Sequence, residues 1–137
     1  MTERTILITE KHLARLQALL QSARRFLPSE RAHLLRLQDD LENAVIMSAE
    51  SIPPQVVAIN RQIHIKDLQA GYNCAYQLVF PRDADIRENR ISVLSPIGAS
   101  LIGARAGDLV EISAPSGIKF MRVLQVQQPE PAMDRVA

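Results

Sequence analysis

Apolar residues recur every three or four positions in two stretches of the first fifty residues. The first stretch carries Leu13, Leu16, Leu20, Ala23 and Leu27, with Leu19 beside them. The second carries Leu34, Leu37, Leu41 and Ala44, with Leu35 beside them. This spacing places the apolar side chains on one face of an α-helix, so the pattern predicts two amphipathic helices.

Pro28 lies between the two stretches and cannot continue the first helix, which predicts a turn over residues 27–30 and an antiparallel helical hairpin. Thr9 and Ser29 are the predicted N-caps, and Glu10 suits the positive end of the first helix dipole. Each arm of about 17 residues would be roughly 25 Å long. Two arrangements remain open: the hairpin projects from the protein, or it packs on the remainder as ordinary core.

The pattern changes after Met47. Pro53 and Pro54 end any helix, and the following segments alternate apolar and polar residues, as Gln62–Lys66 does. The predicted strands are 56–60, 62–66, 74–80, 90–94, 109–113 and 119–126. We therefore predict an α+β protein with a helical-hairpin domain at 1–50 and a curved antiparallel β-sheet domain at 51–137.

One segment of the second half departs from the strand pattern. Ser95 can cap a helix, Pro96 suits its first position, and Gly103 suits its end. This predicts a short helix across the sheet. Asp67 and Gly71 in "DLQAG" predict a turn between two strands.

Composition narrows the possible functions. The 137 residues are 47% hydrophobic and 23% charged, with a formal net charge of +1, so the whole protein lacks the basic charge that holds a polyanion. Its apolar runs are too short for a membrane span, and the start does not resemble a signal peptide, so we expect a cytoplasmic protein. The lone Cys74 excludes an internal disulfide, and we expect it to be a buried strand residue.

No catalytic or metal-binding set emerges from the sequence. His12, His33 and His64 are scattered along the chain, and no nucleotide-binding or nucleophile motif is present, so we expect no cofactor and no metal. Four aromatic residues, Tyr72, Tyr76, Phe80 and Phe120, are expected to pack a small core. This argues against the aromatic pocket of a prolyl isomerase.

Three segments carry a family resemblance: "LENAVIM", "IPPQVVAINRQIHIKDLQAG" and "ISVLSPIGASLIGARAGDLVEI". With them the chain resembles the Gre-factor superfamily of bacterial transcription factors (GreA/GreB), and its short hairpin is most similar to the Rnk group, the regulators of nucleoside diphosphate kinase. The resemblance implies an N-terminal helical hairpin (coiled coil) and an FKBP-like β domain. It also implies that the protein binds RNA polymerase at the rim of the secondary channel.

By this resemblance, the loop residues Ser95, Pro96, Ile97 and Gly98 are expected to contact the polymerase, although helix capping alone also explains Ser95 and Pro96. Leu94 departs from the pattern, because some family members carry an acidic residue there. We expect no sequence-specific contact with nucleic acid, so any effect on DNA would be indirect. The oligomeric state stays open.

The hairpin tip decides whether cleavage of the transcript is stimulated. In cleavage-stimulating Gre factors, paired acidic residues at the tip help to hold a second magnesium ion, which requires oxygen ligands. The tip here comprises Arg24, Arg25, Leu27, Pro28, Ser29, Glu30 and Arg31. Its single carboxylate predicts a non-enzymatic regulator of transcription. The arginines would be either solvated or in contact with the partner. The alternative function is regulation of nucleoside diphosphate kinase through another protein partner.

Overall fold

The computed structural model describes residues 5–23, 31–114 and 117–128. It contains the helices α1 (Glu10–Ala23), α2 (Arg31–Glu42) and α3 (Pro96–Leu101). The strands are β1 (Leu7–Ile8), β2 (Val45–Ile46), β3 (Gln62–Asp67), β4 (Asn73–Val79), β5 (Arg90–Ser92), β6 (Leu109–Ala114) and β7 (Gly117–Gln127). Within these ranges no helix is long and apolar enough to cross a membrane.

The second half of the chain folds into a five-stranded sheet with the order β5-β4-β3-β7-β6. All neighbours are antiparallel except β4 and β5, which are parallel. The register between β3 and β7 shifts between His64 and Ile65, and such a bulge bends the strand and increases its twist. The predicted α+β class with a curved, largely antiparallel sheet is confirmed.

The predicted strand at 56–60 is wrong. Val56 forms only an isolated bridge with Arg105, and the Val57 amide donates to the Ala104 carbonyl at 2.8 Å. Asn60 has a positive φ of 75°, which ends any extended run. The β-branched residues here belong to a buried irregular segment. A short apolar run has the same composition in a buried strand and in such a segment, so the sequence pattern does not distinguish them.

The apolar stripes of the hairpin belong to the main core. Leu16 and Leu37 are fully buried in one cluster with the inner face of the sheet, represented by Ile63, Ile65 and Ile112. The sequence left open whether the hairpin projects or packs on the remainder of the protein. The described part of the hairpin packs on the remainder. The short parallel pair β1–β2, which joins the two ends of the hairpin, was not predicted.

The N-cap of α1 and the turn between β3 and β4 form as predicted. The Thr9 hydroxyl accepts a hydrogen bond from the His12 amide at 3.2 Å, which confirms the N-cap. The Gly71 amide donates to the Asp67 carbonyl, and Gly71 has a positive φ of 79°, which confirms the turn. The Asp67 carboxylate, only 1% exposed, accepts from the amides of Gln69 and Ala70, each at 3.0 Å. The predicted cap Ser29 lies outside the described residues.

A buried arginine fixes the segment that leads into the sheet. Arg61 is only 3% exposed, and its guanidinium donates to the carbonyls of Pro53, Val56 and Ile52 at 2.6, 2.8 and 3.0 Å. Burial lowers the pKa of Arg61, but an arginine still remains charged near neutral pH. The three hydrogen bonds satisfy carbonyl groups that the two prolines leave outside any regular structure.

Candidate docking site at the start of helix α3

Ser95 fixes the conformation of the loop that carries the predicted partner-binding residues. Its hydroxyl donates to the Ser92 carbonyl at 2.7 Å and accepts from the Gly98 amide at 3.0 Å. The Ser95 amide also donates to the Ser92 carbonyl. Pro96 occupies the start of α3, where its lack of an N–H costs nothing. The predicted cap is confirmed, and it makes the loop rigid.

Gly98 is required by space. A Cβ atom built on Gly98 would overlap the Ser92 carbonyl oxygen and would lie 2.9 Å from the Ser92 carbonyl carbon and 3.0 Å from Val93 Cα. Real Cβ atoms essentially never approach other atoms under 3.0 Å. The absence of a side chain at Gly98 therefore lets α3 pack directly on the end of β5.

The loop presents a mixed surface to solvent. Leu94, Ser95, Pro96 and Ile97 are each half-buried, whereas Gly98 is buried. Leu94 and Ile97 also pack against the main core. The four half-buried residues therefore form a small surface with fixed side chains, which we call the docking loop together with Gly98 (residues 94–98).

Helix α2 contacts this loop through His33. The imidazole Nε2 lies 2.8 Å from the Leu94 carbonyl oxygen, across 61 positions of sequence. A cavity of about 120 Å³ adjoins this junction, and its lining comprises Ala32, His33, Arg36, Leu37, Ala99 and Ser100. The sequence predicts no role for His33, because nothing in the local pattern around it indicates a contact with a loop so distant along the chain.

The tip itself is largely outside the described residues. This applies to Arg24, Arg25, Leu27, Pro28, Ser29 and Glu30, so their placement stays a prediction. Arg31 is the first residue of α2. The acidic residues Asp39 and Glu42 are exposed near the opposite end of α2, far along the helix from the tip.

The histidines occupy three separate environments. His12 contacts the Phe80 ring edge-on, with ring centroids 5.5 Å apart, and burial lowers its pKa first, followed by the charges of Lys11 and Arg15. His64 lies 3.1 Å from the Gln127 side-chain oxygen. Across the part of the chain that the structure describes, no three His, Cys, Asp or Glu residues are grouped so that they could hold a metal ion.

The aromatic residues follow the prediction only in part. Phe80 is buried, and the Arg15 guanidinium stacks on it at 4.3 Å from the ring centroid. Tyr72 and Phe120 are not core residues, because they are 53% and 37% exposed. They lie at the sheet end and on the outer face, where the side chains of alternating strand residues point away from the core.

Cys74 lies on β4, as expected, but it is half-buried against the core rather than fully buried. Burial, followed by the influence of the neighbouring Cys74 thiol, raises the pKa of Tyr76 to about 12.

Comparison with known proteins agrees with this architecture. The family model described as "Transcription elongation factor, GreA/GreB, C-term" matches residues 52–128. A transcription elongation factor GreA of Clostridium botulinum strain Hall is 33% identical over 95 residues, which cover 69% of this chain and 59% of that relative. GreA of Clostridium beijerinckii is 30% identical over the same shares. The chain thus spans under two thirds of the length of these relatives.

A solved structure is similar over nearly the whole chain. The prokaryotic transcription elongation factor GreA/GreB from Nitrosomonas europaea matches with a TM-score of 0.74 and 28% identity, covering 91% of this chain and 99% of that one. The fold and the match to the family model thus define a protein of the Gre-factor class. The chain belongs to the GreA/GreB family, and its specific closeness to the Rnk group stays a prediction.

Proposed function

We propose that this protein binds bacterial RNA polymerase at the rim of the secondary channel and regulates transcription without stimulating transcript cleavage. The observation that carries the proposal is the rigid docking loop, in which the Ser95 cap and the buried Gly98 fix the surface formed by Leu94, Pro96 and Ile97. Membership of the GreA/GreB family supports the polymerase as the partner.

A preorganised loop suits a binding role. Residues already held in one conformation lose little entropy on association, so more of the contact free energy appears as affinity. By the family resemblance, Leu94 stands where some family members carry an acidic residue. A contact through Leu94 would be apolar rather than ionic, and its affinity would depend weakly on salt.

The chemistry of the tip supports a role without cleavage stimulation. Residues 24–31 contain one carboxylate, Glu30, and three arginines. A second catalytic magnesium needs several hard oxygen ligands, and nearby cations oppose its binding. Asp39, Asp40 and Glu42 lie too far along α2 to supply these ligands, because about eight helical residues separate Asp39 from the start of the helix, roughly 12 Å along its axis.

Binding to purified core polymerase, followed by biolayer interferometry, tests the surface. Pro96→Glu is the informative variant, because an acidic residue suits the first turn of a helix and the fold should persist. We expect it to weaken binding at least tenfold. Ile118→Glu is the matched control, since Ile118 is 57% exposed on β7 and faces away from the core. Equal affinities of the wild-type protein and Pro96→Glu would refute the assignment of the loop.

A further inference from the structure

The docking loop uses both backbone polar groups of Leu94. Its amide donates to the Ser92 hydroxyl at 3.0 Å, and its carbonyl lies 2.8 Å from Nε2 of His33. The first bond is local to the loop. The second links the loop to helix α2, which belongs to the hairpin.

The chemistry of this contact defines its direction. A carbonyl oxygen can only accept, so Nε2 must carry the proton and donate. Both ends are half-buried, where competition from water is reduced. An open groove of about 120 Å³ between α2 and α3 adjoins the contact, and its lining includes His33. The hydrogen bond adds a defined distance and direction to the apolar contacts that hold Leu94 against the core.

We propose that His33 is a positioning residue, which holds the docking loop in register with the hairpin so that the two parts meet a partner as one unit. This inference rests on the proposed function for its consequence in polymerase binding. Its structural part stands on the His33–Leu94 contact alone. The Ser95 cap and the close packing of Gly98 fix the loop internally, and the His33 contact fixes it against α2. Without that contact residues 94–98 would fluctuate more against α2, and this motion would be lost again on binding.

The experiment compares four proteins: wild type, His33→Ala, His33→Gln and His64→Ala. Affinity for core polymerase is measured by biolayer interferometry, and amide hydrogen exchange is measured over residues 92–98 and over β3. Gln retains an N–H donor of similar reach. His64→Ala is a matched control, because His64 bonds Gln127 on the sheet away from the loop.

We expect His33→Ala to weaken binding about fivefold, as the loss of one net hydrogen bond implies, and to speed exchange at Leu94 and Gly98 but not in β3. His33→Gln should restore polymerase affinity and exchange at Leu94 and Gly98 to within about twofold of wild type. His64→Ala should change neither the affinity nor the exchange at these two residues. If His33→Ala does not fold, His33→Asn replaces it, because the shorter amide cannot reach the carbonyl.

Two results would overturn the proposal: wild-type exchange in the loop of His33→Ala, or equal defects in the Ala and Gln variants. Failure of the wild-type protein to bind polymerase would instead count against the proposed function, and the exchange data would still decide the role of His33.

Discussion

Substitution of Gly98 by alanine is the sharpest test of how the docking loop is built, because two physical effects predict opposite signs. Ala is favoured over Gly inside a helix by about 1 kcal/mol, so helix propensity alone predicts that Gly98→Ala stabilises the protein. The structure predicts the reverse. The new methyl group would overlap the Ser92 carbonyl oxygen and crowd Val93 Cα, and both are backbone atoms that cannot rotate away.

The magnitude follows from these contacts. Overpacking costs about 1–3 kcal/mol and occasionally more, and the overlap with backbone atoms places Gly98→Ala at the upper end, about 3 kcal/mol. After the gain of about 1 kcal/mol in helix propensity, we expect a net loss of about 2 kcal/mol. For a protein of this size, that corresponds to a decrease in Tm of roughly 4–10 °C. The displaced α3 would also carry Pro96 and Ile97 with it, so binding to polymerase should weaken.

Thermal and urea unfolding followed by circular dichroism measure the effect. Gly107→Ala is the matched control, since Gly107 has a positive φ of 97° but a methyl group added there would meet nothing within 4 Å. It tests backbone strain without steric overlap, and it should cost about 1 kcal/mol while leaving polymerase binding unchanged. A Gly98→Ala protein as stable as wild type, or more so, would refute the steric argument.

Three further predictions concern the scaffold. Arg61→Met should lower the free energy of unfolding by about 3 kcal/mol in urea titrations, because the buried carbonyls of Ile52 and Val56 lose their donor, while the Pro53 carbonyl keeps the Val56 amide. Arg82→Met at an exposed position should change the free energy of unfolding little. The hydrogen bond from the Ala70 amide is the main cause that lowers the pKa of Asp67. The wild-type protein should therefore be more stable than Asp67→Asn by its full margin above about pH 4, and this margin should vanish as the pH falls through the folded-state pKa. A difference in stability that does not change with pH would contradict this. Thr9→Ala should cost about 1 kcal/mol through loss of the helix cap, measured by thermal unfolding.

Local patterns were sufficient for the elements that depend on near neighbours in sequence. Ser95 and Pro96 identify the start of α3 because the cap is formed within four residues, and the alternation in Gln62–Lys66 identifies β3 because each strand residue faces one side or the other. Thr9 and the "DLQAG" turn followed for the same reason.

Features that depend on distant contacts were not visible in the sequence. Residues 56–60 carry the composition of a strand, but no neighbouring strand is available to most of them, and the chain is buried in an irregular form. Tyr72 and Phe120 are exposed because other parts of the chain cover the opposite face of the sheet, and local sequence does not indicate which face will be covered. The His33–Leu94 contact joins residues 61 positions apart and leaves no trace in local periodicity.

Competition with a GreA cleavage factor tests both parts of the proposed function, that this protein occupies the polymerase and that it does not act on the transcript. A stalled elongation complex is incubated with a GreA cleavage factor and increasing amounts of this protein, and transcript length is followed on a gel. We predict that cleavage falls to the intrinsic rate as GreA is displaced, with transcripts left at full length. Shortened transcripts when this protein is added alone, or undiminished GreA cleavage at saturating concentration, would contradict the account.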